Sequence, residues 1–217
     1  MSLSSRLLNL FFPLKCTFCA RLMEEKELWI CPECQRSLPW LEGAAAEKKV
    51  EFVSKCVSVL RYQGQVKESI LRYKFAGQEC YCVTYGMLAA QAVSDHLEGQ
   101  FDLITWVPVS WQRKRKRGYD QSFLIAREVG RQLGQKPVKL LRKVRHTGKQ
   151  SALKDRAQRR ANVMDVYRAP WPERLRGKQV LLVDDVVTTG ETLSECARML
   201  LMAGAEDVVC VTVARAG

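Results

Sequence analysis

Apolar residues along this chain alternate between short continuous runs and longer stretches with helical spacing. Short runs rich in β-branched residues are typical of buried parallel strands, and they occur at residues 56–62, 103–109, 138–141, 163–167, 179–183 and 208–213. Apolar residues three and four positions apart predict helices at residues 66–75, 81–97, 121–133 and about 192–203. Strands that alternate with helices indicate an α/β fold with a doubly wound parallel sheet.

The segment at residues 180–193 is the most informative part of this pattern. Its apolar run ends in two acids, and a turn rich in hydroxyl groups then leads into a predicted helix. A loop that joins the carboxyl end of a strand to a helix N-terminus offers free backbone N–H groups and the positive end of the helix dipole to an anion. We therefore predict a phosphate site formed by Val187, Thr188, Thr189, Gly190, Glu191 and Thr192.

The two acids, Asp184 and Asp185, require a different partner because carboxylates repel phosphate. They are suited to ribose hydroxyls or to a bound Mg²⁺. A plainer interpretation is that they only end the strand and cap the helix. Adjacent carboxylates at a buried strand end repel each other, however, unless a cation or hydrogen-bond donors stabilise them. A phosphate site beside a site for a diol or a metal ion fits a ribose 5-phosphate.

Four of the nine cysteines form two C-x2-C pairs near the N-terminus, Cys16 with Cys19 and Cys31 with Cys34. Two such turns can place four thiolates around one metal ion, and soft thiolates favour Zn²⁺. We predict a structural zinc finger, because four protein ligands leave no open position for catalysis. The alternative is a redox C-x-x-C motif, which usually occurs once in a chain. The other five cysteines are interpreted as small core residues.

Length and composition predict one main domain with a small N-terminal appendage. We assign residues 1–42 to an N-terminal region with the zinc finger, 43–50 to a polar linker, and 51–217 to the main domain, which we expect to fold without the finger. No apolar run approaches the roughly 20 residues of a membrane span, and Asn9 and Pro13 interrupt the apolar patch near the N-terminus. We therefore expect a cytoplasmic protein without a membrane partner.

Residues 180–193 resemble the motif with which type I phosphoribosyltransferases bind phosphoribosyl pyrophosphate (PRPP): a hydrophobic strand, two acids and a TTGxT-type loop. Further blocks resemble the ComF family of competence-related proteins, in that family's order and along nearly the whole chain. Besides the four cysteines they comprise Tyr62, Gly64, Lys74, Phe75, Val107, Pro108, Val109, Arg113, Arg117, Gly118, Gln121, Ser122, Arg142, Thr147, Gln150, Arg156 and Asn162. One departure is Asp120 after Tyr119, where the family pattern has Asn after an aromatic residue.

This resemblance implies a type I phosphoribosyltransferase-like fold with a small N-terminal zinc finger of four cysteine ligands. It also implies PRPP with Mg²⁺ as a ligand and a role in competence or DNA utilisation, that is, in the handling of imported DNA. By the same resemblance, Asp184 and Asp185 would act in catalysis at the ribose, and Ser110 would help to bind pyrophosphate. Residues 143–161 would form the family's mobile active-site loop.

Basic residues are concentrated in the middle of the chain. Residues 110–160 contain 17 Lys or Arg and 3 Asp or Glu, a net charge of +14. The whole chain has a net charge of +12, so this segment holds more than all of the excess positive charge. Basic residues interleaved with aromatic ones suit single-stranded nucleic acid, whose bases stack and whose phosphates pair with cations. The predicted nucleic-acid-binding residues are Trp111, Arg113, Lys114, Arg115, Lys116 and Arg117. The alternative is a basic surface that binds only PRPP.

Two functions follow from these features. In the first, the protein is a phosphoribosyltransferase that transfers ribose 5-phosphate from PRPP to an acceptor. In the second, the same site binds a nucleotide or a DNA end without catalysis, and the protein is a single-stranded-DNA-binding adaptor. A fold alone does not decide between them. Other DNA-processing proteins are expected partners in either case.

Overall fold

A computed structural model describes residues 14–23, 29–145 and 165–217. Its helices are α1 (Pro32–Ser37), α2 (Gly64–Phe75), α3 (Tyr81–His96), α4 (Trp111–Arg117), α5 (Gln121–Gln132) and α6 (Glu191–Met202). Its strands are β1 (Lys55–Arg61), β2 (Leu103–Trp106), β3 (Arg142–Lys143), β4 (Tyr167–Arg168), β5 (Gln179–Val187) and β6 (Asp207–Arg215). Short 3₁₀ turns lie at Gly43–Ala46 and Pro172–Arg174.

Four strands form one sheet in the order β1-β6-β5-β2, and every neighbouring pair is parallel. The two central strands are covered on both faces, which explains their unbroken apolar runs. Leu181 packs in the core that includes residues of α2, α3 and α5, whereas the next residue, Leu182, packs in the core beside α6. The predicted doubly wound parallel sheet is confirmed.

The structure differs from the predicted strands and helices at three places. Residues 138–141 form no regular strand: Val138 N–H donates to the Ile104 carbonyl, but the Leu140 N–H lies nearest the Thr105 hydroxyl, so no ladder continues. Of the strand predicted at 163–167, residues 163 and 164 lie outside the described residues, and the described part overlaps only with the two-residue β4, which pairs with β3 in a separate antiparallel sheet. Residues 111–117, for which no helix is predicted above, form α4.

Local chemistry explains α4. Ser110 is its N-cap, with Oγ accepting the Arg113 N–H at 3.3 Å. Gly118 ends the helix in the left-handed conformation, at φ +88°, which glycine adopts without strain.

The region of the cysteine pairs packs directly on the helices of the main sheet. Phe18 is fully buried and contacts the ring of Tyr85 in α3. The carbonyls of Thr17 and Phe18 accept hydrogen bonds from Ser69 Oγ and Arg72 Nη2 of α2, both at 2.5 Å. The turn between the first two cysteines is therefore held by buried polar contacts as well as by apolar packing.

The segment assigned as a linker lies alongside β1. Leu41 N–H donates to the Val59 carbonyl and Lys48 N–H to the Cys56 carbonyl, so the chain follows the outer edge of this strand. Such pairing protects an edge that would otherwise expose backbone groups. The domain boundaries at residues 42 and 50 stay a prediction. In the part of the chain that the structure describes, none of the helices combines the length and apolar character needed to cross a membrane.

Candidate active site and metal centre

A cleft of about 470 Å³ lies at the carboxyl ends of β5 and β2, the edge at which open α/β sheets bind ligands. The loop before α6, the two acids and several cations all line it. Its lining residues are Tyr62, Lys74, Val107, Pro108, Val109, Arg113, Arg117, Ser122, Lys143, Tyr167, Asp184, Asp185, Val186, Val187, Thr188, Thr189, Gly190, Glu191, Thr192 and Leu193. The cleft thus brings together residues that lie up to 131 positions apart in the sequence.

The residues predicted to bind phosphate, except Ser110, run from the last residue of β5 through the loop Thr188–Gly190 into the first turn of α6. Gly190 is the N-cap of α6 at φ +89°, and no described side chain caps this helix. The N–H groups at the start of the helix can therefore donate to an anion. A Cβ at Gly190 would lie 3.2 Å from Val50 Cγ2. The positive φ favours glycine here, and the short contact with Val50 leaves little room for a side chain.

The acid pair lies within β5 rather than beyond its end, because the strand continues to Val187. Both carboxylates are buried. Asp184 Oδ1 accepts hydrogen bonds from Ser122 Oγ at 2.7 Å and from the Asp185 N–H at 2.9 Å. Burial, followed by the charge of Asp185, raises the pKa of Asp184 to about 7. The pair is therefore a preformed acceptor site in which one carboxyl retains its proton more readily than a free aspartate.

Asp185 has a cation of its own in the structure. Lys74 Nζ, near the end of α2, lies 2.8 Å from Asp185 Oδ1, and both side chains are mostly buried. The resemblance singled out Lys74, but no local pattern indicated that it meets an acid 111 positions away. Lys74 offsets the repulsion that adjacent carboxylates create.

Further cations face the acids across the cleft. Arg113 and Arg117 lie four residues apart in α4, on the side of the helix that lines the cleft. Lys143 lies with its ammonium 5.1 Å from the Tyr167 ring centroid. Burial, followed by the charge of Arg113, lowers the pKa of Lys143 to about 8. Sequence reasoning missed Lys143 as a cleft residue, because it places this lysine only at the start of a long basic loop.

The predicted nucleic-acid-binding residues divide between two directions. Lys114, Arg115 and Lys116 are exposed on the outer side of α4, whereas Arg113 and Arg117 are half-buried in the cleft. Trp111 is 69% exposed, and the Arg115 guanidinium carbon lies 5.3 Å from its ring centroid.

Ser110 and Asp120, on either side of α4, accept hydrogen bonds from backbone N–H groups. Ser110 is not among the cleft-lining residues, and its Oγ caps α4, so its part in pyrophosphate binding stays a prediction. Asp120, the departure from the family pattern, accepts the N–H groups of Phe123 and Val109. An acceptor-only carboxylate fits this position.

The ligating sulfur atoms of Cys16, Cys19, Cys31 and Cys34 lie within 4.8 Å of one another. The Cys19 and Cys31 sulfurs are 3.7 Å apart, close to the roughly 3.8 Å that tetrahedral coordination at a Zn–S distance of about 2.3 Å gives. Burial alone would raise the pKa of Cys16, but backbone N–H donors, led by that of Cys31, lower it to about 7. This donor set fits a structural Zn²⁺.

The segment predicted to form a mobile loop lies largely outside the described residues. This holds for Thr147, Gln150, Arg156 and Asn162, which resemble a family block.

Comparison with known proteins places this fold and cleft in a class. A family model described as the phosphoribosyl transferase domain matches residues 120–217, which include the cleft's phosphate loop. Among solved structures, the allosteric regulatory enzyme of purine biosynthesis overlaps 60% of this chain and 25% of its own, with 24% identity and a TM-score of 0.42. On the family match and the observed parallel sheet, residues 120–217 belong to a phosphoribosyltransferase domain, and a cluster of four cysteines precedes it in the chain.

Relatives that match most of the chain narrow the class to a family. Competence protein F of Haemophilus influenzae is 29% identical over 230 aligned residues, which cover 95% of this chain and 99% of that protein. DNA utilization protein YhgH of Salmonella typhimurium is 30% identical over 201 aligned residues, covering 89% and 86%. The chain belongs to the ComF family, which includes these two relatives.

Proposed function

We propose that this protein binds PRPP, or another ribose 5-phosphate compound, in the cleft and acts in the handling of imported DNA. The observation that carries the proposal is the convergence of three kinds of group on one cavity. A helix N-terminus with threonine hydroxyls, two buried carboxylates, and cations from three separate segments all line it. PRPP has a 5-phosphate, a ribose diol and a pyrophosphate, so each kind of group has a partner.

The loop from Val187 to Thr192 suits the 5-phosphate, because N–H groups and hydroxyls donate to its oxygens. Asp184 and Asp185 suit the ribose hydroxyls, which can donate hydrogen bonds to carboxylates. Arg113, Arg117 and Lys143 lie on the cationic side of the cleft, where they would stabilise pyrophosphate. Mg²⁺, when bound, would neutralise part of the pyrophosphate charge, and carboxylates and phosphates are its usual ligands.

In the transferase reaction, the bond between ribose C1 and the pyrophosphate oxygen breaks and a bond between C1 and the acceptor forms. The bond electrons leave with pyrophosphate, and the acceptor gives up its proton to a base or to solvent. Preorganised cations stabilise the negative charge that develops on the leaving group. The buried acids would hold the ribose in place and stabilise the positive charge that develops at C1.

Calorimetry with PRPP, ribose 5-phosphate and inorganic phosphate tests this assignment. Thr189→Val removes one hydrogen-bond donor to the phosphate. We expect the binding free energy of all three ligands to weaken by about 1.5–3 kcal/mol, which is roughly ten- to a hundredfold in affinity. Gly190→Val should weaken binding further, because φ is positive at this position and the added side chain would meet Val50. Asp185→Asn should weaken PRPP but leave phosphate binding intact or tighter, since a repelling charge is gone. If the wild type binds none of the three ligands, the proposal is wrong.

A second function, binding of single-stranded DNA, is favoured by α4. Its outer side carries three exposed cations and an exposed tryptophan ring beside Arg115. With about six phosphate contacts, log K should fall with log salt at a slope near −4, and each lost contact should flatten it by about 0.7.

The matched test replaces Lys114, Arg115 and Lys116 together by Gln and measures the salt slope for an oligonucleotide. Replacement of Arg174, Arg176 and Lys178, at the opposite edge of the sheet, changes the net charge equally and should leave the slope unchanged. Equal effects of the two triple variants would mean that binding follows net charge and not this helix. If DNA binds but PRPP is never consumed, the adaptor function is the correct one.

A further inference from the structure

A large aromatic side chain at the edge of the cleft has no part in the functions above. Phe75 is the last residue of α2 and is 67% exposed. The residue before it, Lys74, lines the cleft and contacts Asp185. The guanidinium carbon of Arg117, a second cleft residue, lies 4.9 Å from the Phe75 ring centroid.

The position of Phe75 is not explained by packing. The buried residues of α2 are Val66, Ser69, Ile70 and Tyr73, and Phe75 belongs to neither apolar core of the described chain. An exposed phenylalanine loses the free energy that burial would gain. A ligand that covers the ring would recover this free energy.

The surroundings of the ring identify the chemistry of that ligand. Lys74, Arg113 and Arg117 line the adjacent cleft, so the ligand is anionic on one side. The ring with its stacked guanidinium offers a flat surface, so the ligand is also planar and apolar on another side. Nucleotides combine a phosphate with a planar base, whereas an apolar peptide would not need the cations.

We propose that Phe75, together with Arg117, forms the stacking surface for the nucleobase of a ligand whose sugar phosphate lies in the cleft. The ligand class is a nucleoside 5′-phosphate, either free or as the terminal residue of a strand. This proposal rests on the proposed function, because it assumes that the cleft binds the sugar phosphate. It adds that the base contributes to affinity through a residue outside the phosphoribosyltransferase motif.

The test compares ligands that differ only in the base. Calorimetry measures AMP against ribose 5-phosphate, and a 5′-phosphorylated oligonucleotide against the same strand with an abasic terminal residue. Phe75→Ala should weaken AMP or the intact strand about five- to a hundredfold, the range for one stacked base, and leave the ligands without the base unchanged. Phe75→Tyr should restore the wild-type affinity. If Phe75→Ala weakens AMP but not ribose 5-phosphate, the ligand is a free nucleotide. If it weakens only the intact strand, and not the strand with the abasic end or AMP, the ligand is a strand end.

Leu71→Ala is the matched control, because Leu71 lies one turn earlier on α2 and is 39% exposed. It should leave every affinity unchanged. Equal weakening of ligands with and without the base by Phe75→Ala would show that the ring only maintains the cleft, and the inference would be wrong. It would also be wrong if Phe75→Ala changed nothing. Failure of ribose 5-phosphate and PRPP to bind the wild type would instead overturn the proposed function.

Discussion

The four-cysteine cluster and the acid pair both bring acidic groups close together in a buried place, and they are stabilised in different ways. Four sulfurs lie within 4.8 Å of one another, and their described hydrogen bonds involve backbone N–H groups and Gln65. Asp184 and Asp185 are likewise adjacent and buried, but Ser122 donates to one and Lys74 forms an ion pair with the other. In the first cluster a zinc ion from solution would supply the cation, whereas the second contains a cation from the chain.

This difference separates a structural centre from a binding site. The cysteines lose their protons as a metal ion binds, and the bound ion would then hold the two cysteine turns together, so metal binding and local folding are coupled. The acid pair is already compensated, so the cleft exists before a ligand arrives. A ribose or a metal ion at Asp185 would approach a carboxylate whose Oδ1 already contacts the Lys74 ammonium.

The largest effect is expected when the external cation is removed. Purified protein should carry one zinc per chain, and Cys34→Ser should lose it. Phe18 lies between two of the predicted ligands and packs fully buried against α3. We therefore expect the free energy of unfolding of Cys34→Ser to fall by about 3 kcal/mol or more. That loss lowers the midpoint of thermal unfolding by about 6–12 °C. The core beside α6 contains none of the four cysteines, so one cooperative transition should remain.

Cys80→Ser is the control for this experiment, because Cys80 is exposed and lies outside the cluster. It should keep both the zinc and the midpoint. Metal analysis without zinc, or Fe–S absorbance, would refute the assignment. A complete absence of cooperative unfolding in Cys34→Ser would show that the main domain depends on the finger.

A smaller effect is expected when the internal cation is removed. Lys74→Met leaves Asp185 buried without its partner, and removal of one partner of a buried pair costs about 3–5 kcal/mol. The Lys74 and Asp185 side chains are still 20% and 12% exposed to solvent. We therefore expect Lys74→Met to lower the free energy of unfolding, measured in urea, by about 2–3 kcal/mol. The double variant Lys74→Met/Asp185→Asn should regain most of the loss. Additive effects of the two changes would show that the ion pair contributes nothing.

A third effect concerns the pH dependence of stability. The pKa of Asp184 is raised to about 7, so between about pH 4 and pH 7 the folded state retains a proton that the unfolded state has released. This group's contribution to stability therefore decreases as the pH rises through that window. Asp184→Asn, whose amide oxygen can still accept from Ser122, should become more stable relative to the wild type from pH 4 to pH 8. A constant difference in the free energy of unfolding across this range would contradict the raised pKa.

Much of the fold could be predicted from the sequence, because its information is local. The runs that became β1, β5 and β6 are apolar on both faces, and the loop before α6 follows directly from the order of strand, acids, threonines and glycine. The cysteine pairs likewise identify a metal site by spacing alone. In each case the residues that form the feature lie within about twenty positions of one another.

The missed features depend on partners far along the chain. Lys74 meets Asp185 across 111 positions, and Lys143 enters the cleft only because β3 pairs with β4. The strand predicted at residues 138–141 is absent because the Leu140 N–H faces a threonine side chain instead of a backbone carbonyl. No periodicity in the sequence encodes such contacts.

Helix α2 contacts both regions compared above, and this restricts how its length can vary. Ser69 and Arg72 hold the cysteine turn, and Lys74, two residues after Arg72, contacts the acid pair. Inserting or deleting one residue between them would rotate the following side chains by about 100° and shift them by about 1.5 Å along the axis. Individual substitutions in this stretch can be repaired by neighbours, but a single-residue insertion or deletion would misplace one set of contacts entirely. The spacing from Ser69 to Lys74 is thus fixed by geometry.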